Sequence, residues 1–403
     1  MECRSCKSDN AVSIIKLGHS PLANGLLAEN QLNDNEPKFN LEVMLCKECG
    51  LSQLLDIVSP GELFSEYLYF SSNSATMVES AKMLVEKMSE TLNTDSLVVE
   101  VASNDGYLLQ HYIKNNIPVL GIEPARNIAK VAIEKGIDTL NDFFTYSLAR
   151  ALVDMGMKAD IIHANNVMAH VPDINDFVKG LKELLKEGGQ AIIEVPYLLD
   201  LVEKCEFDTI YHEHVYYFAM TPLKILFERN GLQIHDIEKL SIHGGSLRLF
   251  ASHLNSRPAL KIVNEYIENE SRVGLCKEEF FVDFSNRLLQ LKFELRKELQ
   301  SLRLQNKKIV AYGASAKGAT LLNYFDIGKE LIDFVVDRSP AKQGLYTPGK
   351  HLQIHHPDKL KQDKVDYALL LTWNFADEIL AEQKGFKEMG GKFIIPIPQV
   401  KVV

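Results

Sequence analysis

The sequence predicts an α/β protein in three parts: an N-terminal zinc-binding module, a central Rossmann-like domain and a C-terminal Rossmann-like α/β domain. Three observations carry this. Two Cys-x-x-Cys pairs, Cys3/Cys6 and Cys46/Cys49, open the chain. From residue 77 onward, apolar runs of strand length alternate with stretches of helical period, the mark of a largely parallel sheet. Twice, at 96–109 and 308–318, a buried strand runs into a turn of small residues and then a helix, the grammar of a nucleotide-binding βαβ unit. At 403 residues the chain exceeds what one hydrophobic core usually holds. The expected parts are 1–75 for the module, 76–255 for the central domain, 256–305 for a helical connector and 306–403 for the C-terminal domain.

In the module, each Cys-x-x-Cys puts two thiolates on one tight turn, within about 2.3 Å of a common metal. Four thiolates close a tetrahedral site and leave no position for substrate or water. Cys3, Cys6, Cys46 and Cys49 therefore read as a structural zinc site, with a redox dithiol or incidental cysteines as alternatives. The segment between the pairs is longer than in a zinc ribbon, so Pro21-Leu22-Ala23-Asn24 is expected to fold back over the metal. Glu66-Tyr67-Leu68-Tyr69-Phe70 follows; as a strand it sets Tyr67 and Tyr69 on one face, either in the core or with one phenol reaching into the next domain's site.

A helix is predicted from Met77 to about Leu92 on its apolar spacing. The strand of the first βαβ unit ends near Glu100 and opens into Ala102-Ser103-Asn104-Asp105-Gly106; the second strand ends in Glu123, an acid that can accept from both hydroxyls of a ribose. Ala102 and Asn104 stand where a phosphate-binding loop has glycines, so the adenosine of S-adenosylmethionine, which has no phosphate, fits better than a dinucleotide. Asp142-Phe143-Phe144 sets a carboxylate near the adenine amine, and the strand from Ala159 presents Asn165 and Asn166 at its carboxyl end. A helix after His170-Val171-Pro172-Asp173 is predicted to continue to Gly188-Gly189, and a strand over 190–195 leads through Pro196-Tyr197. Ligands bind outside the carboxyl ends of such strands, where Asn104, Asn166, His170 and the loop after Val195 gather.

Tyr211-His212-Glu213-His214 concentrates proton donors and acceptors beside the apolar run Val215-Tyr216-Tyr217-Phe218. An extended segment would set Tyr211 and Glu213 on one side and the two histidines on the other. After a charged helical connector, Gly313-Ala314-Ser315-Ala316-Lys317-Gly318 opens the C-terminal domain's first helix. There the turn amides and Lys317 can face phosphates, those of a nucleotide-sugar diphosphate in preference to NAD, or the domain is a scaffold without a ligand.

Composition narrows the function. The hydrophobic fraction of 46% and charged fraction of 24% are those of a soluble globular protein, and the net charge of −10 argues against general affinity for nucleic acid or anionic membrane. Met1-Glu2-Cys3-Arg4 lacks the apolar core of a secretory signal and no run of 18 apolar residues occurs, so a cytoplasmic location with reduced thiols is expected. Cys205 and Cys276 read as buried isolated thiols.

Taken together, the cysteine knuckles, the stretch 100–109, His170-Val171-Pro172, Tyr211 to His214, His243-Gly244-Gly245-Ser246-Leu247-Arg248 and the glycine turn at Gly313 resemble the zinc-containing sugar C-methyltransferase family over essentially the whole chain. The resemblance implies a central class I (Rossmann-like) methyltransferase domain and methylation at C3 of a nucleotide-linked 4-keto-deoxysugar. It implies that Glu100, Asn104, Gly106 and Glu123 hold S-adenosylmethionine, to which the reading of the turn and strand ends adds Ala102, Asp142, Asn165 and Asn166. His214 would be the general base, with Glu213 orienting it, Tyr211 facing the sugar, and His170 and Tyr69 beside them. Tyr67, which can exchange places with Tyr69, would join Tyr197, His243 and Lys317 as substrate contacts, in an enzyme working as a monomer. His212 departs from the family, where an acid is more common, and Ala102 replaces a glycine. Sugar O-methylation, an NAD-dependent sugar oxidoreductase and a zinc-bearing binding module are the rival readings.

Overall fold

Alternating apolar residues in the first segment bury one face of an antiparallel ribbon. In the computed structural model, which describes residues 1–59, 61, 63, 70–240 and 244–403, these become β1 (Ala11–Ser20) and β2 (Phe39–Cys46), joined by β3 (Ser52–Leu54). Ile15 and Leu17 from β1 and Leu41, Val43 and Leu45 from β2 point into the core.

The central domain begins with α1 (Ala75–Ser89), whose cap is Ser74, accepting from the Met77 amide at 3.3 Å. Then come β4 (Val98–Val101), α2 (Leu109–Lys114), β5 (Val119–Ile122), α3 (Arg126–Glu134), β6 (Thr139–Leu140) and α4 (Tyr146–Asp154). They are followed by β7 (Ala159–Asn165), α5 (Ile174–Leu184), β8 (Leu185–Pro196), α6 (Leu198–Glu203) and β9 (Tyr216–Tyr217). The last elements are α7 (Met220–Arg229), β10 (Leu232–Leu240) and β11 (Ser246–His253). Helix α5 stops at Leu184, short of the expected Gly188-Gly189. Leu185 already pairs with Ala159, and a Cβ at Gly189 would stand 2.8 Å from the Asp160 carbonyl, so this segment follows the sheet.

The central sheet has the order β10-β11-β8-β7-β4-β5-β6. Strands β6, β5, β4, β7 and β8 are parallel, while β11 runs antiparallel to β8 and to β10. This agrees with the Rossmann-like central domain expected from the sequence. The chain steps one way from β4 to β5 and the other way to β7, which leaves a crevice at their carboxyl ends.

Strand β9 belongs elsewhere. It pairs antiparallel with β3, Ser52 opposite Tyr217 and Gln53 opposite Tyr216, and so becomes the fourth strand of the N-terminal sheet. The Leu54 amide extends the ladder by donating to the Val215 carbonyl at 2.8 Å.

The connector consists of α8 (Lys261–Val273) and α9 (Glu279–Leu304). The latter buries Phe281, Phe284, Leu288, Leu291, Leu295, Leu299 and Leu302 along one face at helical spacing. The C-terminal domain is built from β12 (Ile309–Tyr312), α10 (Ala316–Phe325), β13 (Val335–Val336), β14 (Ile354–His355), α11 (Lys359–Gln362), β15 (Tyr367–Leu370), α12 (Ala376–Glu382), α13 (Lys384–Glu388), β16 (Lys392–Ile395) and β17 (Lys401–Val402). Its sheet, β14-β13-β12-β15-β16-β17, is parallel except at β17.

Polar contacts tie the three parts together. Asn175 donates to the Arg4 and Ser5 carbonyls at 2.8 and 2.9 Å, and Arg229 donates to Ser5 at 3.0 Å. On another side, Glu36 accepts from the Gly349 amide at 2.9 Å and pairs with His351 at 3.1 Å, while Leu27 bridges to Tyr346. Among the described residues, no helix is long and apolar enough to cross a membrane.

Candidate active site and zinc centre

Two tight turns bring the cysteines together. The Cys3 amide donates to Ser8 and the Lys7 amide returns to the Cys3 carbonyl; the Gly50 amide donates to the Cys46 carbonyl, with Gly50 at φ +76°. The four sulfurs lie within 4.8 Å of one another, with Cys3–Cys49 at 3.7 Å and Cys6–Cys46 at 3.5 Å. A tetrahedron with zinc–sulfur bonds of about 2.3 Å has edges of about 3.8 Å, so the donor set and its size fit a closed structural zinc. The expectation that 21–24 covers this metal is not met. Leu22 and Asn24 line a cavity with Tyr211 and His214 instead.

The crevice at the β4–β7 switch opens into a cavity of about 340 Å³, walled by Ala102, Asn104, Glu123, Asn165, Asn166 and the rings of Phe143 and Phe144 among others. Ala102 and Asn104 both take left-handed backbone, φ +53° and +51°, uncommon outside glycine. The Glu123 carboxylate holds the turn, accepting from the Asn104 amide at 2.9 Å and the Ala125 amide at 2.8 Å, and the Asn104 side chain accepts from the Ser71 amide at 2.8 Å. Burial pushes the Glu123 carboxyl up. Beneath the turn, burial and the neighbouring Glu123 and Asp105 raise the Glu100 carboxyl well above its ordinary range. The described residues of the wall include Asp173 and Asp176 and no lysine or arginine, which opposes a diphosphate and suits a ligand with cationic centres. The Asn165 side-chain oxygen, buried and without a hydrogen-bond partner, is at this wall. The residues therefore fit S-adenosylmethionine.

Three expected cofactor contacts do not reach the cavity wall. Glu100 is buried behind it. Gly106 is required by its φ of +78° and by packing, since a Cβ there would stand 1.9 Å from Ile137. Asp142 is exposed and accepts from the Phe143 amide at 2.7 Å.

A second cavity, of about 400 Å³, shares Asn166 and His170 with the first. All three parts of the chain line it: Leu22, Asn24 and Leu26 from the module, Tyr211, Glu213 and His214 from the central domain, and Lys317, Lys342 and Phe375 from the C-terminal domain. Tyr211-His212-Glu213-His214 forms a turn, with the His214 amide donating to the Tyr211 carbonyl at 2.9 Å. Three of its side chains face this cavity. His212 turns away, bonds the Phe39 carbonyl at 3.3 Å and packs edge-on to the Phe39 ring, so this departure from the family is a packing residue of the module interface.

His214 is held at both nitrogens. Its Nδ1 lies 2.8 Å from the Thr209 carbonyl, which can only accept, so Nδ1 carries the hydrogen; Nε2, 2.9 Å from the Tyr211 hydroxyl, keeps its lone pair. Thr209, and not Glu213 as expected, therefore orients the imidazole. Glu213 accepts from Asn24 at 2.6 Å, and its other oxygen is buried without a partner; burial lifts its carboxyl to about 7. His170 packs edge-on to His214, rings 4.8 Å apart, and burial lowers its imidazole to about 4, which keeps it neutral.

Lys317 lines the C-terminal end of this cavity. Its Nζ lies 5.0 Å from the Trp373 ring centre, at the start of α10, which Ser315 caps by accepting from the Gly318 amide at 3.0 Å. Tyr197 is a correction: it is buried between the sheet and α8, and its hydroxyl donates to Glu270 at 3.0 Å, away from the cavity. Tyr67, Tyr69 and His243 lie outside the described residues. Sequence reasoning missed Asn24, Thr209 and the Trp373 indole, which donates to Asp208 at 2.7 Å. The lone tryptophan of the chain, just after a strand's carboxyl end, was the available signal for the last of these.

Family models match residues 3–64 as a zinc-binding domain, 75–237 as a methyltransferase domain and 241–398 as a C-methyltransferase C-terminal domain. The C-methyltransferase NovU of Streptomyces niveus is 34% identical over 408 aligned residues, covering 100% of this chain and 96% of that protein. A ubiquinone biosynthesis O-methyltransferase of Bartonella quintana is 24% identical over 155 residues, 34% of this chain and 61% of that protein. Among solved structures, magnesium protoporphyrin IX methyltransferase from Synechocystis PCC 6803 is similar over 44% of this chain and 82% of its own, at 16% identity and a TM-score of 0.35.

Two outcomes are expected. A structural zinc contributes on the order of 10 kcal/mol, so stripping the metal with a chelator, or Cys49→Ser, should abolish hydrogen-exchange protection at the Leu54 amide while β4, β7 and β8 keep theirs; exchange mass spectrometry reads this. The second concerns Glu213→Gln, which keeps an oxygen for Asn24. The raised carboxyl makes ionised Glu213 a stability cost that is absent below the unfolded value of 4.5, grows between pH 4.5 and about 7, and is constant above. The variant should therefore exceed wild type by about 3 kcal/mol at pH 8 and by less than about 1 kcal/mol at pH 5, measured by urea unfolding.

Proposed function

Because the chain belongs to the C-methyltransferase family, we propose that it carries a methyl group from S-adenosylmethionine to the carbon next to the ketone, C3, of a nucleotide-linked 4-keto-deoxysugar, in the making of a branched-chain sugar. The observation that carries this reading is the His214 imidazole. Its hydrogen is committed to Thr209, its Nε2 is met by the Tyr211 hydroxyl, and the residue lines a cavity that shares Asn166 and His170 with the cofactor cavity.

A carbon beside a ketone loses a proton only when the electron pair left behind can spread onto oxygen. His214 Nε2 accepts the proton, the carbon–hydrogen pair becomes the enolate, and the charge goes to the ketone oxygen. Tyr211 lies within reach of Nε2 and offers a hydroxyl to either the base or the sugar. Glu213, which stays protonated up to about pH 7, is a neutral acid able to donate to the developing oxyanion. Asn24 holds it in place from the module. Lys317, Lys342 and the α10 amides serve the diphosphate. Glu123, Asn104, Asn165, Phe143 and Phe144 would hold S-adenosylmethionine, which would supply an electrophilic methyl group.

Positioned base catalysis contributes about 10²–10⁴-fold. His214→Asn should therefore lose methyl transfer by at least about a hundredfold while its affinity for S-adenosylmethionine, measured calorimetrically, stays near wild type. A panel of thymidine- and guanosine-linked keto-sugars in deuterated water, read by mass spectrometry, should show one methyl gained and deuterium entering beside the ketone. A variant retaining more than about a tenth of the rate removes His214 as the base; methylation of a sugar without a ketone turns the reading to O-methylation.

A further inference from the structure

We propose that Asp208 and Trp373 form a positioning pair through which the C-terminal domain sets the tautomer of His214, an inference that rests on the role proposed above for His214. The imidazole owes its orientation to the Thr209 carbonyl, 2.8 Å from Nδ1. A backbone carbonyl aims only as well as the peptide carrying it is fixed, and Thr209 ends a single 3-10 turn, Phe207–Thr209, too short to hold itself.

What fixes that turn is the C-terminal domain. The Phe207 ring stacks on Phe325 of α10 at 4.7 Å and tilts against Tyr324 at 5.4 Å. The next residue, Asp208, is fully buried, and its Oδ2 accepts from the Trp373 indole at 2.7 Å, a bond between residues 165 apart in sequence. The other Asp208 oxygen is buried without a hydrogen bond. Burying a carboxylate is costly unless a partner meets it. Here the indole donates to it directly, and the nearby Lys317 charge opposes the effect of burial, leaving the carboxyl at about 6.

Trp373 also belongs to the substrate end. Its ring lies 5.0 Å from Lys317 Nζ, and its neighbours Thr372, Asn374 and Phe375 line the catalytic cavity. One side chain thus meets both the lysine suited to the diphosphate and the carboxylate that anchors the base-bearing turn. Asp208 and Trp373 touch no reacting atom. They act through Thr209, keeping the hydrogen on Nδ1 and the lone pair on Nε2.

The test uses the full-length, zinc-loaded protein. Trp373→Phe keeps an aromatic ring near Lys317 and removes the N–H together with part of the indole's bulk; Asp208→Asn keeps an acceptor oxygen. The Asp208→Asn/Trp373→Phe double variant removes the N–H without stranding a buried charge, should the first fold poorly. Nitrogen-15 NMR of the His214 ring without substrate should show the Nδ1–H form in wild type and Asp208→Asn, and a mixture with the Nε2–H form in Trp373→Phe and in the double variant. With substrate, the variants lacking the N–H should lose about tenfold in kcat, a part of what a positioned base contributes, with KM for the sugar nucleotide little changed and Asp208→Asn close to wild type. A wild-type ring spectrum in the variants lacking the N–H overturns the proposal, whatever their rate, as does a rise confined to KM. Because the spectrum needs no turnover, a failure of the proposed reaction reads separately, as absent methylation by the wild-type enzyme.

Discussion

The pairing of a two-residue strand with a distant sheet is the constraint on which the rest of this structure depends. Tyr216 and Tyr217 come one residue after the 211–214 turn, and they are the fourth strand of the zinc module's sheet. The downstream end of the turn is thus hydrogen-bonded to a sheet whose first turns are fastened by four thiolates, while its upstream end, at Phe207 and Asp208, packs against the C-terminal domain. A loop held at both ends by different bodies can present Tyr211, Glu213 and His214 in one orientation although it has little regular structure of its own.

Charge is distributed along the same axis. The first cavity is lined by Glu123, Asp173 and Asp176 and, among the described residues, by no lysine or arginine, whereas the second carries Lys317 and Lys342. A cationic ligand is favoured in the first cavity and an anionic one in the second, and the two share Asn166 and His170 in their walls. The net charge of −10 conceals this division. The closed thiolate site takes no part in it, because its four ligands leave no position for substrate.

Short-range patterns made much of this legible in the sequence. Cysteine spacing, the strand–turn–helix around Ala102 and Asn104, the acid closing β5 and the crowded 211–214 segment each depend on neighbouring residues, and each lies at the sulfur cluster or at a cavity wall. Interactions that join distant segments left no local trace. Asn24 meets Glu213 across 189 positions, and Trp373 meets Asp208 across 165. The partner of His214 is a backbone carbonyl, which any residue type can supply, so nothing in the composition marks Thr209. Glu100, Gly106 and Tyr197 misled for a related reason: each lies at the right end of its strand or turn, but packing points it into the core, towards Ile137 or towards Glu270. His212 differs from its neighbours only by which way a turn faces.

Asn175 and Arg229 join the module to the central domain, Asp208 joins the central domain to the C-terminal one, and Glu36 with Leu27 joins the C-terminal domain back to the module. Three bodies that each touch both others form a triangle, and a triangle has no free hinge. Separating any one pair shears the remaining two seams. The cavity lined by all three parts is in this sense a truss, not a jaw: contacts within the protein itself set its shape, so the affinity of a ligand is not spent on assembling it.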